Sequence, residues 1–171
     1  MDNPSKDDSI YYARLSEQGE RYDDMIKYMK IVAKVSLKTN LTIKSGQEMT
    51  NDERNLLSVA YKNSVKTRRD AWRTITAIQN KEELKVSEDI WLMTPQGNNK
   101  FLPLIVEYKT KIEDELSDYC NQVINLLEQD LVPATQNPEA IVFYLKMKGD
   151  YFRYLGEYKQ ADEKKKVIDK A

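Results

Sequence analysis

An all-α fold, an array of antiparallel helices joined by short polar breaks, is what this 171-residue sequence predicts. Three observations carry the prediction. Charged residues make up 32% and apolar residues 40%, with only five Gly and five Pro. Helix interiors tolerate Lys, Glu and Gln, whereas sheets need β-branched runs and turn residues. Leu104, Tyr108, Ile112, Leu116, Cys120, Val123 and Leu127 recur every three or four residues, which is the period of an amphipathic helix. Two helix-start signals stand at Thr50-Asn-Asp-Glu53 and Asn137-Pro138-Glu139.

The elements follow in order. A short helix is expected over Ile10 to Gly19, and a second from Arg21 to about Leu37 carrying Tyr22, Met25, Ile26 and Met29. Thr39 to Met49 holds Gly46 and no sustained period, so it reads as a loop. The Thr50 hydroxyl can accept from the Glu53 amide while the Glu53 carboxylate reaches back, opening a long helix through Trp72 and Ile78 to about Lys85. Thr94-Pro-Gln-Gly-Asn-Asn-Lys100 is a breaker cluster. The periodic fourth helix should end before Pro133, the fifth should run from Asn137 to about Tyr158, and Asp162 should open another. Gly149, Phe152, Gly156, Tyr158 and Ala161 follow the order of a tetratricopeptide repeat, though the small residues also fit close helix contacts. Such a stacked-helix scaffold builds concave peptide grooves.

Composition also excludes chemistry. Lys and Arg number 27 against 28 Asp and Glu, a net charge of −1, so non-specific nucleic-acid binding by an overall basic surface is not expected. The absence of His removes the usual general base and the commonest transition-metal ligand. The single Cys120 rules out an internal disulfide and a multi-Cys metal site, and its place in the apolar stripe reads as packing. No nucleophile, base and orienting group assemble, so neither an enzyme nor a metal or cofactor is expected. The opening MDNPSKDDS is acidic and polar, unlike a signal or transit peptide, and no apolar run approaches the roughly 20 residues of a membrane span. Asn40-Leu41-Thr42 matches a glycosylation sequon that a chain without export would never use. The expected compartment is the cytoplasm, with access to the nucleus.

Two basic stripes stand out on this near-neutral chain. Asn55, Lys62 and Arg69 are seven residues apart, and seven steps of about 100° return to within about 20° of the start. Lys146 and Arg153 repeat that spacing, with Tyr154 beside Arg153. Facing one another, the stripes would bind an anion, and phosphate suits Arg because of its parallel donors. Facing water, they would be solvated surface. Spacing alone leaves both readings open.

Longer motifs add a resemblance. Glu20-Arg-Tyr-Asp-Asp-Met25, Arg54-Asn-Leu-Leu-Ser-Val-Ala-Tyr-Lys-Asn63 and Phe143-Tyr-Leu-Lys-Met-Lys-Gly-Asp-Tyr-Phe-Arg-Tyr-Leu155 resemble signature segments of 14-3-3 proteins, in family order. Arg68-Arg69 with Trp72, and Tyr108 to Cys120, add shorter agreements. The resemblance implies about nine antiparallel helices, of which this sequence would carry five and the start of a sixth. It implies one domain over 1–171, incomplete at its carboxy-terminal end, with insertions at about 36–47 and 84–102 in helix connections. The second insertion holds Trp91, Leu92, Met93, Phe101 and Leu102, which are expected to pack on the body.

Carried over by motif position, the resemblance makes Lys62, Arg69, Arg153 and Tyr154 a phosphoserine or phosphothreonine pocket. Lys146 would flank it, and Asn55, Ser58 and Val59 would lie further along the groove wall. It implies an adaptor for phosphorylated client proteins that acts as a homodimer, or as a heterodimer with other family members. The dimer contact would set the first helices against the fourth, pairing Arg21 with Glu115 and Asp24 with Lys111 around Leu15, Gly19 and Tyr108. Two departures bear on function. In the family, later helices supply the groove's apolar wall and the Asn side chains that hold the peptide backbone, and these positions fall after Ala171, so the pocket alone should bind weakly. Asp70-Ala71 precedes Trp72, where the family often has a Ser whose phosphorylation disfavours dimers. The reading from a different class is a phosphate-independent helical-repeat scaffold.

Overall fold

A computed structural model describes residues 4–42, 48–91 and 100–159, with side chains given for all of these except 38–42 and 86–91. Its elements are α1 (Lys6–Gln18), α2 (Tyr22–Thr42), α3 (Asn51–Trp91), α4 (Leu102–Asn125) and α5 (Pro138–Tyr158). Between α4 and α5 the chain makes a π-helical turn over Leu126–Leu131 and one further α-turn over Val132–Ala134. Among the described residues there is no strand. The chain forms two compact units: residues 1–65 with 119–171, and residues 66–118.

In the first unit, α1 starts earlier than its apolar period suggested, because Ser5 caps it: the Ser5 hydroxyl oxygen accepts from the Asp8 amide at 3.1 Å. The chain then reverses through Gly19 and Glu20. The Arg21 amide bonds back to the Ser16 carbonyl at 2.8 Å, and Glu20 takes the left-handed conformation, φ 54°. The glycine therefore precedes the strained position rather than occupying it. Tyr12 and Tyr28, each eight residues from Glu20, stack with ring centroids 5.0 Å apart, so α1 and α2 are antiparallel. Tyr12 remains exposed, but Met25, Ile26, Met29, Val32 and Ala33 of α2 are buried. α2 continues to Thr42, past the expected end near Leu37. Lack of apolar period does not break a helix, and Gly46, the breaker in that segment, lies outside the described residues.

Around the start of α3, charged groups are buried together. The capping box forms as expected: the Glu53 amide donates to the Thr50 hydroxyl at 3.2 Å, and the Thr50 amide donates to Glu53 Oε2 at 3.0 Å. Lys6 of α1 meets Glu53 Oε1 at 2.9 Å. Arg54, only 4% exposed, donates to the Met49 carbonyl at 2.7 Å and to Asn51, with its guanidinium 6.0 Å from the Phe143 ring centre on α5. Glu48, just before the helix, accepts from the Thr135 hydroxyl and from the Gln136 amide at 2.8 Å. Burial pushes the Glu48 carboxyl up, but the Thr135 hydroxyl, the Gln136 and Asn137 amides and the Arg54 charge together hold it below the ordinary glutamate range.

Two contacts give the relative direction of α3 and α5. Arg54 lies at Phe143, and Tyr61 packs edge-on against Tyr151 with centroids 6.3 Å apart. Moving forward along one helix moves forward along the other, so they are parallel. Asn137 caps α5, accepting from the Glu139 amide at 3.0 Å, with Pro138 in the first turn as expected. Cys120, Val123 and Leu127 are buried, consistent with a packing role for Cys120. Helical structure does not stop before Pro133. The Val132 amide reaches back five residues to the Leu127 carbonyl, and the wider turn carries the chain through a proline that lacks its own donor. Gly149 has open space where a Cβ would stand, so it marks no close helix contact; Gly156 is buried. Asp162 and the expected sixth helix lie outside the described residues.

The second unit pairs the distal part of α3 with the first part of α4 through polar rungs. Arg68 Nε donates to Glu115 at 3.0 Å, Trp72 Nε1 to Glu113 at 2.8 Å, and Lys109 Nζ to Gln79 at 3.1 Å. Partner numbers fall as the others rise, which makes this pair antiparallel. α3 continues beyond the expected Lys85 to Trp91. The apolar stripe of α4 is buried only in part: Ile112 and Leu116 are covered, but Leu104 and Tyr108 are 58% and 54% exposed. Phe101, expected to pack on the body, is 56% exposed and has the Lys100 ammonium over its ring at 5.0 Å. Trp91, Leu92 and Met93 fall outside the described side chains.

Glu48→Ala removes a charged acceptor from two donors and should cost about 1–3 kcal/mol in urea unfolding. Because the folded value of Glu48 is lowered, its contribution is present at neutral pH and disappears as pH falls below the ordinary glutamate range. The wild type should therefore lose more stability than Glu48→Ala between neutral pH and about pH 3. Glu20→Gly relieves a left-handed L-residue, and a gain of roughly 0.5–1 kcal/mol is expected in the same measurement.

Candidate functional site

The parallel register of α3 and α5 brings side chains from both to one depression of about 280 Å³ in the first unit. Ser58 and Lys62 come from α3; Phe143, Lys146, Met147, Asp150, Tyr151, Arg153 and Tyr154 come from α5. Packing of buried Tyr61 on α3 against buried Tyr151 on α5 turns the basic faces to this opening. Lys62, Lys146 and Arg153 are exposed, while Tyr151 is buried and forms part of the lining. Burial pushes the Tyr151 phenol well up, so it stays neutral and its hydroxyl can donate a hydrogen bond.

Arg153 is held on two sides. Its Nη2 donates to Asp150 Oδ1 at 3.0 Å, and its guanidinium lies 4.8 Å from the centre of the Tyr154 ring. The bond to Asp150 raises its already high pKa, and Arg153 is a permanent cation. The expected stripes thus meet in part: Lys62 is brought together with Lys146, Arg153 and Tyr154. Ser58 joins them. Asn55 is exposed and Val59 half-buried on α3, and neither lines the depression. Arg69, half-buried on α3, belongs to the second unit. Sequence reasoning passed over Asp150, although its spacing of three from Arg153 on a helix is the signal for an ion pair. It also passed over Phe143, Met147 and Tyr151 as lining residues.

Of the residues expected at a dimer contact, Leu15 and Tyr108 are exposed, as are Gly19, Arg21 and Lys111. Inside one chain Arg21, Asp24 and Glu115 already have partners. Arg21 and Lys27 both bond Asp24, and Lys27 first, then Arg21, holds that carboxyl below the ordinary range. Glu115 accepts from Arg68. Among the described residues no cluster of His, Cys, Asp or Glu could hold a metal ion, and no helix is long and apolar enough to cross a membrane.

Helices joined by short breaks, with cations from two of them gathered over an aromatic floor, place the chain among the all-α helical arrays. Within that class the assignment is specific, because residues 12–171 match the family model of the 14-3-3 protein. The 14-3-3-like protein A of Glycine max is 43% identical over 169 residues, covering 99% of this chain and 58% of that relative. The 14-3-3-like protein GF14-E of Oryza sativa subsp. japonica is 47% identical over 165 residues, 96% of this chain and 56% of the relative. The 14-3-3 protein 3 of Entamoeba histolytica is 41% identical over 167 residues, 98% and 61%. The chain belongs to the 14-3-3 family, and it spans less than two thirds of the length of these relatives.

Proposed function

We propose that the chain is a phosphoserine- and phosphothreonine-dependent adaptor: it binds phosphorylated client proteins and works as a dimer in the cytoplasm. The observation that carries the reading is the convergence of Lys62 with Lys146, Arg153 and Tyr154 over one depression. Phosphorylation adds a near-dianion with three acceptor oxygens, which can accept from several of these cations together. Arg153 offers a planar fork, Lys62 a compact charge and Tyr154 a neutral donor. Arg69, seven residues beyond Lys62 on α3, is proposed as the second fork. Lys146 flanks the site, and Asn55, Ser58 and Val59 serve the groove wall. The chemistry is recognition, not turnover.

Matched phosphorylated and unphosphorylated peptides test this reading. Arg153→Ala or Arg69→Ala should cost roughly 1.5–3 kcal/mol of phosphopeptide affinity, the scale of a lost charge-assisted bond. Arg→Lys should rescue in part, since Lys keeps the charge and loses the fork. The unphosphorylated peptide should hardly respond. Equal losses for both peptides would mean that the stripes are general surface charge.

For the dimer, we propose α1 and the start of α2 of one copy against α4 of the other, with Leu15 and Tyr108 at the apolar centre beside Gly19. Arg21 would pair with Glu115, and Asp24 with Lys111. Arg21, Asp24 and Glu115 must each exchange an existing partner, so the pairs fix register more than they add affinity. Asp24→Lys places like charge opposite Lys111 in two symmetric copies and should weaken the dimer by roughly 1–2 kcal/mol. Adding Lys111→Asp should restore much of it. Sedimentation at micromolar concentration is the measurement, and a wild-type monomer there would discard the interface.

A further inference from the structure

The phosphate reading leaves one charged group in the depression without a role. Asp150 lines it together with Lys62, Lys146 and Arg153, so three cations and one anion give the lining a net charge of +2. The carboxylate stands one turn before Arg153 on α5 and takes a donor, Nη2, that a ligand would otherwise use. It is not the sole support of the guanidinium, which also lies over the Tyr154 ring. Removing the charge of Asp150 therefore leaves Arg153 with its aromatic contact. What Asp150 supplies, beyond that bond, is a negative charge beside any docking anion.

We infer that Asp150 is a built-in competitor of the ligand: it occupies Arg153 in the free protein and limits how tightly, and for how long, a phosphate monoester stays bound. The inference rests on the reading of this depression as a phosphate site. Repulsion scales with the product of the charges. A phosphate near −2 therefore feels Asp150 about twice as strongly as a peptide carboxylate does. A site with this carboxylate gives up affinity and gains exchange, because the leaving ligand is replaced at Arg153 by an anion already in place.

The test uses three peptides of one sequence, carrying phosphoserine, glutamate or serine at the central position, against the wild type, Asp150→Asn and Asp150→Glu. Asn keeps a carbonyl oxygen for Arg153 and loses the charge; Glu keeps the charge. Asp150→Asn should bind the phosphopeptide about three- to tenfold more tightly at low ionic strength, with a slower dissociation rate. The glutamate peptide should gain less and the serine peptide nothing, and added salt should shrink the gain. Asp150→Glu should stay within about twofold of the wild type. Unchanged or weaker phosphopeptide binding by Asp150→Asn, with helical content intact by circular dichroism, overturns the competitor role while leaving the phosphate site standing. A wild type that binds the phosphoserine and serine peptides equally removes the site reading, and the competitor with it.

Discussion

The ion cluster at the start of α3 is the constraint on which the first unit depends. A buried guanidinium or carboxylate costs several kcal/mol unless its hydrogen-bonding capacity is met. Arg54 and Glu53 are both nearly inaccessible. Their partners come from different parts of the chain: Lys6 from α1, Met49 and Asn51 from the helix start, Phe143 from α5. Glu48 ties the same corner to Thr135 and Gln136 ahead of α5. Apolar packing is non-directional and tolerates sliding by a turn; these bonds do not. They set α3 against α5 in the register that brings Lys62 to the same depression as Lys146 and Arg153.

The two units are cohesive for different reasons. The first buries Met25, Met29, Leu57, Tyr61, Val123, Leu127 and Tyr151, so apolar area removed from water is its main stabilisation. The second covers Ile112 and Leu116 and otherwise relies on the rungs Arg68–Glu115, Trp72–Glu113 and Gln79–Lys109. Part-exposed polar rungs contribute modestly, and the Arg68–Glu115 ion pair among them weakens with salt. Local opening should therefore be easier in the second unit than in the first.

Helix existence was legible because it depends on local signals. The Thr50 box, the Asn137-Pro138 start and the α4 period each act within one or two turns, and each is found in place. Boundaries were less legible for physical reasons that differ by site. α2 and α3 run on through polar sequence, because a helix ends at a breaker and not where its apolar face ends. Pro133 stops a regular α-helix, but the wide turn before it alters the bonding it meets. Leu104 and Tyr108 keep the α4 period and remain exposed, since periodicity defines a face and says nothing of what covers it. At the site, seven-residue spacing aligned the cations on each helix. Which way those faces point is decided by tyrosine packing between helices, which no spacing within one helix contains. Asp150 was readable as an i,i+3 partner of Arg153, yet its place in the lining belongs to tertiary structure.

The shared direction of α3 and α5 has a metric consequence. Seven helical residues advance about 10.5 Å, and three residues of extended chain advance about 10 Å. Positions such as Asn55 and Lys62 on α3, or Lys146 and Arg153 on α5, are thus graduations of one ruler read in the same sense on both edges. A strand laid beside them meets an equivalent graduation every third residue without changing pitch. Antiparallel helices would carry the same marks with opposite side-chain tilt on the two edges. Here both edges lean the same way, so the scale itself has a direction.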